Sequence, residues 1–419
     1  MKILWLCNVV LSEFCEEFGL NKTVVGGWMS GMFTQLKEST DLDIAFCFPI
    51  IDKKRLKNGI FNGYRYYSFV CNFNEFEYKE ETVEKFIHIV REVEPDVIHI
   101  WGTEYPHASA MLDACTKLGL VNRVVAHLQG LVSVYAEHYL RDIPIDFCSM
   151  KIDNLPTLYE ENEEFRIRGI LEQKFLKKIQ HVIGRTNWDR ACVAVINNKI
   201  NYHFCNETLR DTFYKQMKTW DIEQCVRHSI FVSQSVYPVK GMHFLMKALA
   251  IVHKNYPDVH VYVGGVNIMN APTPGPYAIY LKTLEQEYEL EDKITFLGKL
   301  TVDEMSKNYQ KANVFVLPST IENSPNSLCE AMMIGTPVVS SYVGGVDSFI
   351  RHGENGYLYQ QDAPYMLAYY IEKIFENKEE AERISRLATD SISKINNGYN
   401  NAMRLNDIYK EIIINGKDE

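Results

Sequence analysis

The chain holds no run of about 18 uninterrupted apolar residues, so it offers no transmembrane helix. Its opening Met1-Lys2-Ile3-Leu4-Trp5-Leu6-Cys7 is too short to span a bilayer, and no cleavage site follows it; a first buried strand is the expectation. Basic residues are in deficit, 44 Lys and Arg against 54 Asp and Glu, giving a net charge of −10. That excludes a general nucleic-acid binder while leaving room for a local basic patch that meets a membrane or a diphosphate. None of the ten cysteines forms a C-x-x-C pair, so neither a zinc site nor a disulfide framework is encoded. Reduced, buried thiols in a cytoplasmic protein are expected. Low-complexity segments and a G-x-G-x-x-G fingerprint are also missing.

What is present is an alternation of short apolar runs and helical periodicities. Apolar runs at Lys2–Asn8, Leu42–Phe48, Pro95–Trp101, Arg123–His127 and His181–Gly184 are separated by helical segments, and the stretch 130–165 has no clear period. The pattern restarts after about residue 225 with runs at Ser229–Ser233, Val259–Gly264, Ile294–Leu297, Val314–Leu317 and Pro337–Ser340. At 419 residues two domains are the default. The expectation is an α/β chain of two Rossmann-like, doubly wound domains facing across a cleft, at 1–212 and 213–395, with a last helix at 396–419 able to cross back to the first domain. Ligands in such folds bind beyond the carboxyl ends of the strands.

The strongest chemical signal is Glu322-Asn323-Ser324-Pro325-Asn326-Ser327-Leu328-Cys329-Glu330, directly after an apolar run. Ser324 reads as an N-cap and Pro325 as the first helical residue. The amides of Asn326 and Ser327 then open a helix N-terminus suited to a diphosphate. Glu330, further along the helix, can accept from two ribose hydroxyls, and Glu322 would face a sugar ring. Lys240-Gly241, at a strand-to-helix turn, can bring a point charge to a phosphate. Paired glycines at Gly26-Gly27, Gly264-Gly265 and Gly344-Gly345 permit close backbone approach. His127 ends a strand where a substrate would lie; His99, inside an apolar run, reads as structural. Glu104 and His107 follow a strand end and are candidates for acceptor contact.

These residues resemble the retaining GT-B glycosyltransferases of family 4. Glu322 and Glu330 reproduce that family's E-x7-E motif, and Lys240-Gly241, Gly298, Pro318-Ser319, Gly335-Thr336-Pro337 and Gly344-Gly345 follow its order and spacing over about 229–360. Gly184-Arg185-Thr186-Asn187-Trp188-Asp189 and Cys205-Asn206-Glu207 add a likeness to members from bacterial surface-polysaccharide clusters. The resemblance implies a nucleotide-diphosphate sugar as donor and a glycan or lipid-linked acceptor. It implies transfer of a hexose-type sugar with retention, and neither cofactor nor metal. Asp41-Leu42-Asp43 leads into a strand and is read as chance. By the same resemblance Lys240 holds the diphosphate, Glu330 the ribose and Glu322 the donor sugar. Gly26-Gly27 would approach the phosphates, and His127 would line the sugar–acceptor junction.

One departure stands out. The family usually has an arginine five residues before the lysine, where this chain has Ser235, preceded by Gln234. Either these two donate neutral hydrogen bonds or another cation substitutes, with Arg185 the candidate. The basic clusters Lys53-Lys54-Arg55-Leu56-Lys57 and Lys174-Phe175-Leu176-Lys177-Lys178 would suit peripheral contact with an anionic membrane face. Competing readings are a nucleotide-sugar 2-epimerase of the same fold and an inactive nucleotide-sugar-binding subunit.

Overall fold

The computed structural model describes residues 1–21, 26–73 and 75–416. The chain packs as two compact units. The first comprises 1–134, 165–210 and the last helix, which begins after Asn396; the second comprises 135–164 and 211–395. The segment 135–164 therefore departs from the linear partition at residue 212. It is also not structureless, since it carries helix Ile145–Cys148 and parts of helices Val132–His138 and Leu158–Leu176. Short helical turns rich in aromatic and charged residues give no readable amphipathic period, which is why the sequence pattern failed there.

In the first unit the described strands are β1 (Lys2–Leu6), β2 (Asp43–Ile50), β3 (Gly59–Phe61), β4 (Tyr64–Val70), β5 (Val97–Trp101), β6 (Val124–His127), β7 (His181–Gly184) and β8 (Asn201–Phe204). They form one sheet in the order β3-β4-β2-β1-β5-β6-β7-β8, parallel except for β3. The chain winds outward from β1 on one side and from β5 on the other, so the topological switch lies between β1 and β5. Alternation along β1 divides the core. Leu4 and Leu6 pack with Ile98, Ile100 and the helix Glu80–Val93, while Ile3, Trp5 and Cys7 pack on the opposite face.

That opposite face is closed by the last helix, Gly398–Asn415, through Ala402, Leu405, Ile408, Tyr409 and Ile412. Tyr409 ties it to the sheet with its hydroxyl, which accepts from Trp5 Nε1 at 3.0 Å and shares a 2.6 Å bond with His99 Nδ1. Burial holds the His99 imidazole down to about 3, so it is neutral. A neutral ring suits the structural role expected of it.

The second unit repeats the design with β9 (Ser229–Val232), β10 (His260–Val263), β11 (Ile294–Phe296), β12 (Val314–Leu317), β13 (Val338–Ser341) and β14 (Tyr357–Tyr359). Its sheet is parallel throughout, in the order β11-β10-β9-β12-β13-β14, with the switch between β9 and β12. The expected runs and the observed strands here agree to within a residue or so. None of the ten cysteines is in a disulfide. Among the described residues no helix is long and apolar enough to cross a membrane.

Removing the Tyr409 hydroxyl leaves the Trp5 N–H and a His99 nitrogen buried without their partner. Tyr409→Phe is expected to cost about 1–3 kcal/mol, read as a lowered midpoint in urea unfolding.

Candidate functional site

The second unit gathers its expected residues at its switch point. β9 ends at Val232, and the loop beyond it carries Gln234, Ser235 and then Lys240; β12 ends at Leu317 and is followed by Pro318, Ser319 and Glu322. Lys240 Nζ lies 2.7 Å from Glu322 Oε1, and Ser319 Oγ donates to the same oxygen at 2.8 Å. Glu322 is 6% exposed. Burial opposes the Lys240 charge, but the Glu322 carboxylate and the Tyr237 oxygen outweigh it and hold the ammonium well above its ordinary range. Lys240 is therefore a fixed cation. An ammonium has three donors, so it can keep Glu322 and still meet a phosphate oxygen.

The backbone of Glu322 is fixed as well. Gly345 N donates to the Glu322 carbonyl at 3.0 Å. Gly344 has φ +51°, and a Cβ there would sit 1.9 Å from that carbonyl. The Gly344-Gly345 pair thus allows close approach of its own chain: it lets the loop after β13 clasp Glu322.

The helix after this loop is Asn326–Ile334, one residue shorter at its start than expected. Pro325, not Ser324, occupies the cap; its extended ψ of 110° delays the helix, and no side chain caps it. The first amides bonded to the Pro325 carbonyl are those of Leu328 and Cys329, so the amides of Asn326 and Ser327 precede the helical ladder. These two N–H groups stand at the positive end of the helix dipole, in the arrangement anions favour. Glu330 is buried in the same helix, with Oε2 accepting from Tyr309 at 3.2 Å. Ser235 is buried, and its hydroxyl has no hydrogen-bond partner among the described residues.

One contributor escaped the sequence reading. Tyr135 belongs to the second unit, and its hydroxyl accepts from the Asn323 N–H at 3.2 Å. Nearby, Thr320 Oγ1 donates to the His138 carbonyl at 3.1 Å. The 135–164 segment so braces the loop that carries Glu322, in addition to Gly344-Gly345. No spacing in Ser133-Val134-Tyr135 marks this role.

The remaining candidates lie in the first unit. Gly26 caps, and Gly27 opens, the helix Gly27–Ser39; a Cβ on Gly27 would meet the Arg210 side chain at 2.6 Å. Glu104 accepts from Asn8 Nδ2 at 2.9 Å and from the Thr103 amide at 2.8 Å, and burial raises its pKa. His107 is buried and held neutral, at about 3, by burial. Its Nε2 pairs with Asn8 Oδ1 at 2.7 Å, so it orients Asn8. His127 is wholly buried, and burial drives its pKa well below the usual value. It stacks on Trp101 at 4.6 Å.

Arg185 does not suit the phosphate role expected of it. It is 2% exposed, ion-paired to Glu207, and Nη2 donates to the Leu128 and Gln129 carbonyls at 2.6 and 3.0 Å. A guanidinium so enclosed ties β6 and β7 to the Glu207 segment and has little left for a ligand. Among the described residues no group of three or more His, Cys, Asp or Glu side chains is arranged to hold a metal.

Arg185→Ala strands a buried carboxylate, and about 3–5 kcal/mol of stability should be lost. Chemical denaturation measures this; calorimetry on the remaining folded protein should find UDP affinity within about twofold of wild type, well under the 1.4 kcal/mol of a tenfold change.

The chain is similar to known proteins in sequence and in fold. Residues 227–390 match the family model described as glycosyl transferases group 1. A D-inositol 3-phosphate glycosyltransferase of Pseudarthrobacter chlorophenolicus is 27% identical over 249 residues, 57% of this chain and 56% of the relative. The chain spans between 33% and 56% of the length of the curated relatives it matches. Among solved structures, sucrose-phosphate synthase from Thermosynechococcus elongatus aligns over 99% of both chains with a TM-score of 0.73 and 15% identity. Anabaena HepE, crystallised with UDP and glucose, aligns over 98% of this chain and 100% of its own, with a TM-score of 0.67 and 16% identity. The chain thus has the GT-B fold, and residues 227–390, within its second unit, match the glycosyl transferases group 1 model.

Proposed function

We propose that this chain is a retaining glycosyltransferase moving a hexose-type sugar from a nucleotide-diphosphate sugar to a glycan or lipid-linked acceptor in surface-polysaccharide synthesis. The observation that carries the reading is the Lys240–Glu322 pair, fixed at the switch point of the second unit beside a helix that opens with uncapped amides. A leaving diphosphate gathers negative charge as the glycosidic bond breaks. Lys240, the Asn326 and Ser327 amides and the Ser235 hydroxyl are donors in place before that charge develops, and preorganised donors lower such barriers. Ser235 and Gln234, rather than Arg185, take the place of the family's arginine. The affinity for diphosphate then rests on one cation and several neutral donors.

Glu330 receives the ribose hydroxyls and Glu322 the hydroxyls of the transferred sugar. UDP and glucose in the HepE structure support a uridine nucleotide as the first donor to test. Gly26 and Gly27 are the backbone offered to the donor by the first unit, with Glu104 and His107 serving the acceptor, His107 through Asn8. His127 acts through Trp101, which it backs. No metal is required, because the anion already has a lysine and a helix terminus. Peripheral membrane contact rests on Lys53, Lys54, Lys174 and Lys177, all exposed; Arg55, Lys57 and Lys178 are occupied by Gly19, Glu17 and Asp113. The 2-epimerase and the inactive subunit have no observation of their own in their favour.

Thermal stabilisation by a panel of nucleotide sugars identifies the donor. Glu330→Ala should weaken UDP binding by about 1.5–3 kcal/mol, or roughly tenfold or more. Glu322→Gln should leave UDP affinity near wild type and lower turnover by about tenfold or more. Transfer should persist in excess EDTA. Unchanged UDP affinity in Glu330→Ala, or activity lost to EDTA and restored by a divalent ion, would contradict these assignments.

A further inference from the structure

Tyr135 brings to the second unit one more polar group than its bracing contact uses. The residue is half-buried, and its hydroxyl oxygen accepts from the Asn323 N–H at 3.2 Å. A phenol has a proton to donate as well as lone pairs to accept with. The Tyr135 proton has no acceptor among the described residues.

The neighbouring carboxylate is half-used in the complementary sense. Glu322 Oε1 accepts from Lys240 Nζ and from Ser319 Oγ, while Oε2 makes no hydrogen bond to any described residue. Glu322 precedes Asn323 in the chain, and its charge is felt at the phenol. Burial first, and the Glu322 carboxylate next, hold the Tyr135 hydroxyl well above its usual range, and Lys240 opposes them less strongly. The hydroxyl therefore stays protonated, a neutral donor beside a carboxylate.

These groups are held together by their backbones. Thr320 Oγ1 donates to the His138 carbonyl at 3.1 Å, one turn beyond Tyr135, and the Thr320 amide donates to the Val239 carbonyl at 2.8 Å. Gly241 has φ +69°, and a Cβ there would sit 1.8 Å from the Pro318 carbonyl. That close approach packs the Lys240 turn against the loop that leads to Glu322. Tyr135, Lys240 and Glu322 thus keep their spacing whether or not a ligand is bound.

We propose that Tyr135 is a specificity-determining residue for the transferred sugar: its O–H donates to one sugar hydroxyl while Glu322 Oε2 accepts from the adjacent one, so the donor sugar must carry a vicinal diol at that place. Adjacent pyranose hydroxyls can offer a lone pair from one and a proton from the other, which complements a phenol beside a carboxylate. A sugar that lacks the first oxygen leaves the phenol proton unpaired, and sites built on such a bond reject the analogue that cannot make it. The inference deepens the transferase reading and rests on its assignment of Glu322 to the donor sugar.

The test is calorimetric titration of the full chain with UDP, UDP-glucose and UDP-galactose, then with the monodeoxy analogues of whichever sugar nucleotide binds more tightly, repeated on Tyr135→Phe. In the wild type, loss of either of two adjacent sugar oxygens should weaken binding by about fivefold or more, and loss of any other by less than about twofold. In Tyr135→Phe one of those two penalties should vanish while its neighbour's persists. A bracing role alone would weaken UDP and every sugar nucleotide by the same factor and leave all the deoxy penalties as in the wild type; that result overturns the proposal. It is equally overturned if the sensitive oxygens of the wild type are not adjacent, or if none is sensitive, and neither outcome needs the variant to fold. UDP that fails to bind would sink the uridine-nucleotide reading and this inference with it. UDP that binds beside flat deoxy penalties sinks the inference alone.

Discussion

The second unit is organised around one buried carboxylate. Glu322 is gripped by Lys240 from the loop after β9, by Ser319 from its own loop after β12, and at its carbonyl by Gly345 from the loop after β13. Tyr135 holds the next residue through the Asn323 amide. A carboxylate this enclosed is tolerable only because a cation and a hydroxyl replace its water. The same replacement keeps the Lys240 charge in place where a diphosphate would need it. Loss of any one grip leaves a buried charge exposed to the others, so the loops form a coupled set rather than independent contacts.

Both units place their chemistry by the same topological rule. Parallel strands leave their loops at a common edge, and the loops diverge where the winding order reverses. In the second unit that point lies between β9 and β12 and holds Lys240 and Glu322; in the first it lies between β1 and β5 and holds Asn8 and Glu104. The contents differ in kind. One is a fixed cation beside helix amides, suited to an anion. The other is a set of aromatic side chains around Glu104, a carboxylate held by Asn8 and the Thr103 amide.

The fold was legible wherever hydrophobic periodicity was clean. β12 and helix Val302–Lys311 fall where the apolar pattern puts them, and the neighbouring elements shift by a residue or so. The edge strands β3, β8 and β14, and the aromatic β4 between β3 and β2, were not read, because half-exposed, aromatic or short strands lack a continuous apolar signature. The helix start at Asn326 rather than Pro325 is a local matter of one ψ angle, below what residue preferences resolve.

By itself the sequence determined the two doubly wound sheets, through alternating apolar runs, and it singled out Lys240, Glu322 and Glu330 through their likeness to a family motif. Both are properties of local chain chemistry. Only the tertiary structure decided what surrounds them. It spent Arg185 on Glu207, although a strand-end arginine looks equally suited to a phosphate, because a guanidinium's partners are set by packing between β6, β7 and a segment about twenty residues away in the chain. It joined 135–164 to the second unit, bringing Tyr135 to Asn323 across 188 positions of sequence. And it gathered Trp28, Trp101 and Gln129 around one cavity of the first unit, since such neighbours meet only in three dimensions and leave no mark in residue order.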